Sequence, residues 1–508
     1  MPVHNSNALD DAPAFVRQES FGGGLNSYQR SSRIGDAQYA RALNLLVDQS
    51  LRAQTRPGAD SLGGAAPGAA SMVQALAYYD IPTAEALLAC VGNSFYKWDG
   101  TSWSAALTGY TAPAATNPEI AQGINELIIV DGTQNAYKWE PSGGFADLAV
   151  AAKASIVEWH TYRAFYAGFS DAQDTLMVSD VADPATVQDP QFVTRVGEGE
   201  GEKITAVKSL QGYWLTLFKE NSIWMINADP TATQASQWAY SKVTGGVGCV
   251  GPRAAVRYGN DMFFLARDGI RTLRRMSAVD GQYEVAPPLS QPVQDVIDRI
   301  NWSYADRAAA GTFDQFVFFA LPLDAATEPS HTLVWNGRLG AWMGLWGWDA
   351  SVFEVTRFGD VLQLIYGNAA GKVPAWKFDD DRALDATYQD DGAGYKTELL
   401  SKAWDFGDAI SHKETWKAEL RFIDSAAAAT VELVLDGDPT ASWTVSTEVG
   451  QNQLPVDLPF DLATTRPVKW RKGMGKKKFN EAQLCVKAQT GRLSLESLTF
   501  SAFLDTYR

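Results

Sequence analysis

Cysteine and histidine are scarce in this chain. Its 508 residues hold three cysteines, Cys90, Cys249 and Cys485, which are odd in number, far apart and set in apolar runs. A disulfide framework needs paired thiols at regular spacing, so none is expected, and the three are read as buried free thiols. The four histidines, His4, His160, His331 and His412, never stand four residues from one another, and neither HExxH nor CxxC occurs. Zinc sites want such clustering. The Gly-x-Ser-x-Gly elbow of serine hydrolases is missing as well. Gly197–Glu202 alternates glycine with glutamate, and those carboxylates would repel the phosphate that a glycine cradle binds. Gly473-Met474-Gly475-Lys476 lacks both the spacing and the hydroxyl of a P-loop. Asp99-Gly100-Thr101-Ser102-Trp103 has its glycine in the wrong place for a sialidase Asp-box. The expectation is a protein that is not an enzyme and has no metal or cofactor.

Positive charge and long apolar runs are also in short supply. Lys and Arg total 43 against 59 Asp and Glu, a net charge of −16. Gripping nucleic acid rests on Lys and Arg, so the balance argues against a whole-protein phosphate-binding surface. No apolar run is long enough to cross a bilayer, so no membrane insertion by this chain is expected. The start, MPVHNSNALDDAPAF, lacks the basic and apolar regions of a signal peptide, which leads to the expectation of a chain made in a cytoplasm.

What is abundant is β structure. The chain is 46% hydrophobic, with 17 Trp, 18 Tyr and 23 Phe. Tyr213–Phe218 turns at Lys219–Ser222 into Ile223–Ile226, and Met262–Ala266 turns at Arg267–Gly269 into Ile270–Leu273. Each is a strand-length apolar run returning across a polar turn, the signature of a hairpin. Five more follow the same plan: Leu87–Trp98, Leu127–Trp139, Ala164–Val178, Phe316–Trp335 and Val361–Phe378. They recur at the roughly 40–50-residue spacing of propeller blades. Aromatic pairs flank tight turns at Trp98/Trp103, Trp139/Phe145 and Trp335/Trp342, as in the outer hairpin of a blade.

The expected fold is all-β: a β-propeller of about seven blades, an extended or helical N-terminal arm and a C-terminal β-sandwich-like domain. Residues 1–70 are read as arm and linker, 71–395 as propeller and 396–508 as the second β unit. In the arm, Asp36 is placed to cap a short helix carrying Tyr39, Leu43 and Leu46 on one face. A second short helix is expected within Pro287–Ile300, from the spacing of Val293, Val296, Ile297 and Ile300. The arm has little apolar periodicity, so it is expected to pack on a neighbouring subunit rather than build a core.

The opening of the chain resembles that of a known family. Phe21, Gly23, Gly24, Leu25 and Asn26, then Asn44, Arg52, Arg56 and Gly58, are similar in order to the opening of phage tail nozzle proteins (tail tubular protein B) and the DNA-stabilisation type. The resemblance implies a hexameric ring in the tail of a short-tailed bacteriophage, assembled in the host cytoplasm. It also implies docking to a head-to-tail adaptor ring and to tail fibre, needle or other tail proteins. Genomic DNA would pass through the lumen without specific binding.

Two charge patterns are given roles on that reading. Lys469, Arg471, Lys472, Lys476, Lys477 and Lys478 form a local inversion of sign, expected as an interface loop. Asp131, Glu198, Glu200, Glu202, Asp379, Asp380 and Asp381 are candidates for an acidic lumen along which phosphate slides without sticking. The rival reading is a carbohydrate-binding or carbohydrate-cleaving propeller, with exposed Trp346 and Trp348 stacking on sugar.

Overall fold

All seven expected hairpins are strand pairs in the computed structural model, which describes residues 13–113, 116–275, 283–380, 384–407, 412–423, 425, 428–446, 468–475 and 477–504. Six of them each belong to a separate sheet, five in the middle of four strands and the first at the edge of three. In chain order the inner strands of these six sheets are Val73–Ile81, Glu119–Gln122, Ile156–His160, Ile204–Ser209, Ala255–Tyr258 and Val352–Thr356. Each is followed by antiparallel neighbours in simple up-and-down order. This is a six-bladed propeller arrangement, and the chain has extra sheets besides. The hairpin of Ala309–Phe313 and Phe316–Leu321 lies in one of those larger sheets, and its first strand packs against both Ala255–Tyr258 and Val352–Thr356.

The second strand of each blade is apolar without alternation, as in Leu127–Val130 and Arg163–Ala167, where every residue is buried. A sheet covered on one face alone would alternate, whereas a sheet covered on both faces does not. The core therefore lies between blades. Leu87, Val91 and Val73 of the first sheet meet Val352, Ile365 and Val373 of the last. Ile128 and Val130 of the second meet Val157, Ala164 and Tyr166 of the third. The last sheet takes its fourth strand, Ala59–Ser61, from early in the chain, and the Leu62 N–H donates to the Val373 carbonyl at 3.0 Å.

Packing divides the chain into two compact units. One holds Asp60–Val334 and Gly347–Trp376, and the other holds the described parts of Met1–Ala59, Trp335–Trp346 and Lys377–Arg508. The expected arm is therefore divided between them. In the second unit, strands Ala14–Gln18, Leu45–Val47 and Ala53–Thr55 share a sheet with Lys413–Phe422, Val468–Gly473 and Ser494–Leu504. Gln38–Leu43 and Ala341–Trp346 share another with Thr397–Ser401, Ala428–Leu435, Asp438–Ser446 and Ala482–Ala488. Among the described residues, the stretch from Ala14 to Ser61 thus contributes strands to these sheets.

The helix expected after Asp36 is absent: Gln38–Leu43 and Leu45–Val47 are strands. Tyr39, Leu43 and Leu46 fit a helical face on so short a run, but Tyr39–Leu43 ladders onto Ser401–Glu398. Asn44, at φ 52°, sits in the left-handed region that halts a helix. The second helix is present as Gln294–Asp298, with Val293, Val296, Ile297 and Ile300 all buried. The turn at Asp99-Gly100 is not type I′, because only Gly100 has positive φ. Asp99 instead accepts hydrogen bonds from the N–H groups of Thr101 (2.9 Å) and Ser102 (2.8 Å). The aromatic pair it supports is formed, with the Trp98 and Trp103 rings 5.3 Å apart.

Candidate functional site

The inner strands of the propeller unit enclose a central channel of about 300 Å³. Its walls carry Glu119, Glu158, Lys208, Arg253, Arg257 and Glu354. Arg253 pairs with Glu119 at 2.6 Å and donates to the Pro118 carbonyl at 2.7 Å. Glu158 accepts the Ser209 N–H at 2.9 Å, and the Ser209 hydroxyl meets His160 Nδ1 at 2.8 Å. Burial raises the pKa of both unpaired acids. For Glu354 it does so to about 8, against the opposing pull of the Val355 and Tyr78 N–H groups and the Lys208 charge. For Glu158 burial outweighs Lys208 and the Ser209 N–H. The channel is thus a small, mixed-charge space.

None of the expected lumen acids lines this channel. Asp131 is buried in a turn, where it accepts from the Tyr110 hydroxyl (2.6 Å) and from the N–H groups of Thr133 (2.7 Å) and Gln134 (2.9 Å). Burial pushes its pKa up, but these hydrogen bonds win and hold it below the ordinary carboxylate value. It is a structural residue, not an exposed lumen acid. Glu198, Glu200 and Glu202 sit between the third and fourth blades and are largely matched. Glu198 pairs with Arg195 (3.0 Å), Glu200 with Lys242 (2.5 Å) and Lys219 (3.8 Å), and Glu202 accepts the Ser222 hydroxyl (2.9 Å). Glu198 and Glu200 are thus offset by cations, whereas Glu202 keeps its charge beside a neutral hydroxyl. Asp379 and Asp380 are exposed, and Asp381 lies outside the described residues.

The basic cluster is not one loop. Lys469, Arg471 and Lys472 lie on strand Val468–Gly473, which pairs with Lys417–Phe422. Arg471 bonds Glu419 at 2.6 Å across that pair. Lys477 donates to the Thr440 carbonyl at 2.9 Å, Lys478 stands opposite Glu414, and Lys476 lies outside the described residues. The alternation of Val468, Trp470 and Lys472 with Lys469 and Arg471 carries the strand signal.

Trp346 and Trp348 are not exposed, at 0% and 1%. Trp346 donates its indole N–H to the Leu45 carbonyl at 2.9 Å, and Trp348 stacks on Tyr366 at 4.8 Å. Neither offers a face to a sugar. The three cysteines are buried and free, with burial pushing the thiols up to about 12, 12 and 11 for Cys90, Cys249 and Cys485.

The residues of the N-terminal resemblance, in contrast, converge. Arg56 is fully buried and forms two bonds to Asp390, at 3.0 and 2.6 Å. Its Nε donates to Asn44 Oδ1 at 3.0 Å, and its guanidinium lies 3.9 Å from the Tyr395 ring centre. Asn44 in turn donates to the Lys396 carbonyl at 2.8 Å. Phe21 is fully buried. A Cβ on Gly58 would land on the Gln389 carbonyl, and one on Gly24, at φ 72°, would meet the Trp342 carbonyl at 2.6 Å.

No family model matches the sequence, and no curated protein matches it. Solved structures share its propeller outline. The WD40 propeller domain of Doa1 is similar at 9% identity over 63% of this chain and 96% of that chain, with a TM-score of 0.41. BamB from Moraxella catarrhalis is similar at 10% over 65% and 98%, with a TM-score of 0.39. The computationally designed Ika8 protein is similar at 11% over 63% and 99%, with a TM-score of 0.39. At such identities and scores the likeness implies nothing about what this chain binds. The chain is a β-propeller protein.

Proposed function

We propose that this chain is a structural subunit of a short phage tail, a nozzle or hub protein that forms a ring of six copies around the path of the genome. The observation that carries the reading is the fate of the residues behind the sequence resemblance. Asn44 and Arg56 join Asp390 and Tyr395 in one buried cluster, Gly58 packs on the neighbouring Gln389 backbone, and Phe21 and Gly24 are buried elsewhere in the same unit. Most of the matched positions thus have a packing role, which supports a shared packing solution rather than shared composition. In this reading the hairpin Ala309–Leu321 counts as a seventh blade, and the two sheets of the other unit form the sandwich-like domain. In this reading DNA passes between copies, through a lumen that the ring encloses. Repeating one contact by rotation closes such a ring. Its neighbours are an adaptor ring on one side and fibre or needle proteins on the other. The carbohydrate reading has lost its aromatic platform, since Trp346 and Trp348 are core residues.

Measuring mass in solution and imaging the particle by negative stain tests the proposal. A ring of about six copies with an open lumen is expected. A monomer with saturable oligosaccharide binding would overturn it.

A further inference from the structure

The outer face of the sheet built on Lys413–Phe422 gathers cations that are far apart in sequence. Phe15 and Arg17 stand opposite Ser501 and Thr499. Ser501, Thr499 and Ser497 stand opposite Lys417, Glu419 and Arg421. Glu419 and Arg421 then face Arg471 and Lys469. Residues paired across a ladder share a face, so Arg17, Lys417, Arg421, Lys469 and Arg471 lie together with Glu419 among them and Glu414 at the end, opposite Phe503. Glu419 takes Arg471 at 2.6 Å and Arg421 at 3.7 Å, and Arg17 pairs with Glu19 at the margin. The strand between them offers only Ser497, Thr499 and Ser501, too short to cover the cations. At one end Phe15 is 74% exposed and Trp416, against Phe503, is 44% exposed.

Lysine on an edge strand keeps sheets from joining edge to edge, which accounts for Lys469 and Lys472. It does not account for Arg17, Lys417 and Arg421 on other strands, nor for exposed aromatics beside them. Arginine and aromatic side chains with few acids are the makeup of a protein interface centre. We propose that this face binds a second copy of the chain, through the acidic turns that join the inner and second strands of its blades. The proposal rests on the ring reading above and names its contact. A chain of net charge −16 presents acid on its remaining surface. On those turns Asp80, Glu85, Asp314 and Asp360 are exposed, among exposed Tyr162, Tyr213 and Val361. Acid and apolar surface together match cation and aromatic, and a face that binds a different face of the next copy propagates by rotation.

The test uses the full chain and three variants: Lys417→Glu with Lys469→Glu, Asp314→Lys with Asp360→Lys, and all four changes in one chain. Exposed changes of this kind leave folding near neutral, which circular dichroism and thermal midpoints verify. Sedimentation velocity should show each double variant weakening self-association about tenfold or more, and the fourfold variant restoring it. Self-association unchanged by the Lys417→Glu, Lys469→Glu pair, or lost without rescue in the fourfold variant, overturns the proposal. Tight binding of a 20-base-pair duplex that this pair abolishes also overturns it, in favour of a nucleic-acid surface. A wild-type chain monomeric at every concentration removes the ring reading itself.

Discussion

Glu354 stands in the channel wall with its pKa raised to about 8 by burial. The sign of its effect follows from linkage. A carboxyl raised above its unfolded value stabilises the fold fully below that value and loses this as pH climbs through the folded one. Stability should therefore fall between about pH 4.5 and 8 as the buried acid is forced to ionise. Glu354→Gln should flatten that slope, so that its thermal midpoint exceeds the wild type's at pH 8.5 but not at pH 5. Parallel curves for the two proteins would contradict the assignment. Arg56 is the opposite case, a buried charge with every donor direction answered. Arg56→Lys keeps the charge but loses the two-pronged bond to Asp390, and lysine is no substitute at such a site. A loss of about 1–3 kcal/mol in chemical denaturation is expected, because the Asn44 Oδ1 acceptor and one Asp390 oxygen lose their donors.

At the scale of elements, the blade hairpins were legible because central strands buried on both faces are apolar throughout, and Asp-Gly or Asn-Gly turns mark where they reverse. The N-terminal strands were not. Gln38–Leu43 and Ala53–Thr55 take their partners from Thr397–Ser401 and Ser494–Leu504, and a strand whose ladder lies hundreds of residues away has no local signature. Their burial pattern comes from those partners rather than from their own alternation. Gly58 illustrates the difference between a glycine that is required and one that is merely permitted. Gly58→Ala forces a Cβ onto the Gln389 backbone, whereas Gly212→Ala, at φ 67°, meets nothing within 4 Å. The first should abolish soluble expression or lower the thermal midpoint by many degrees. The second should cost about 1 kcal/mol, from the left-handed backbone alone.

For the whole molecule, net charge was easy to read and its placement was not. Asp131 and Glu200 are as acidic in sequence as Asp379 and Asp380, yet the first two are matched by hydroxyl, N–H or ammonium partners and the last two are exposed. The channel set of Glu158, Lys208 and Glu354 escaped notice for a related reason: it comes from three separate blades, with no shared motif. On the proposed reading, weak attraction to a duplex rests on the net charge of −16 summed over the assembly. The assembled wild-type protein should bind a duplex weakly even near 50 mM salt, where phosphate contacts are strongest. Tight binding that falls steeply between 50 and about 200 mM salt would point to a gripping surface.

The register that sets Ala14 opposite Ala502 has a consequence for biosynthesis. A ribosome that has delivered the first sixty residues has made strands such as Ala14–Gln18 and Gln38–Leu43, whose antiparallel partners emerge only some 350 to 450 residues later. At about 5–20 residues per second, the early strands wait on the order of half a minute with their ladders open. Contacts between segments so distant in sequence also fold slowly. Chaperone occupancy should therefore concentrate on nascent chains that have passed the start of the propeller but have not yet reached Ser494, and fall once that last strand leaves the exit tunnel. Ribosome profiling of chaperone-bound nascent chains would detect the drop.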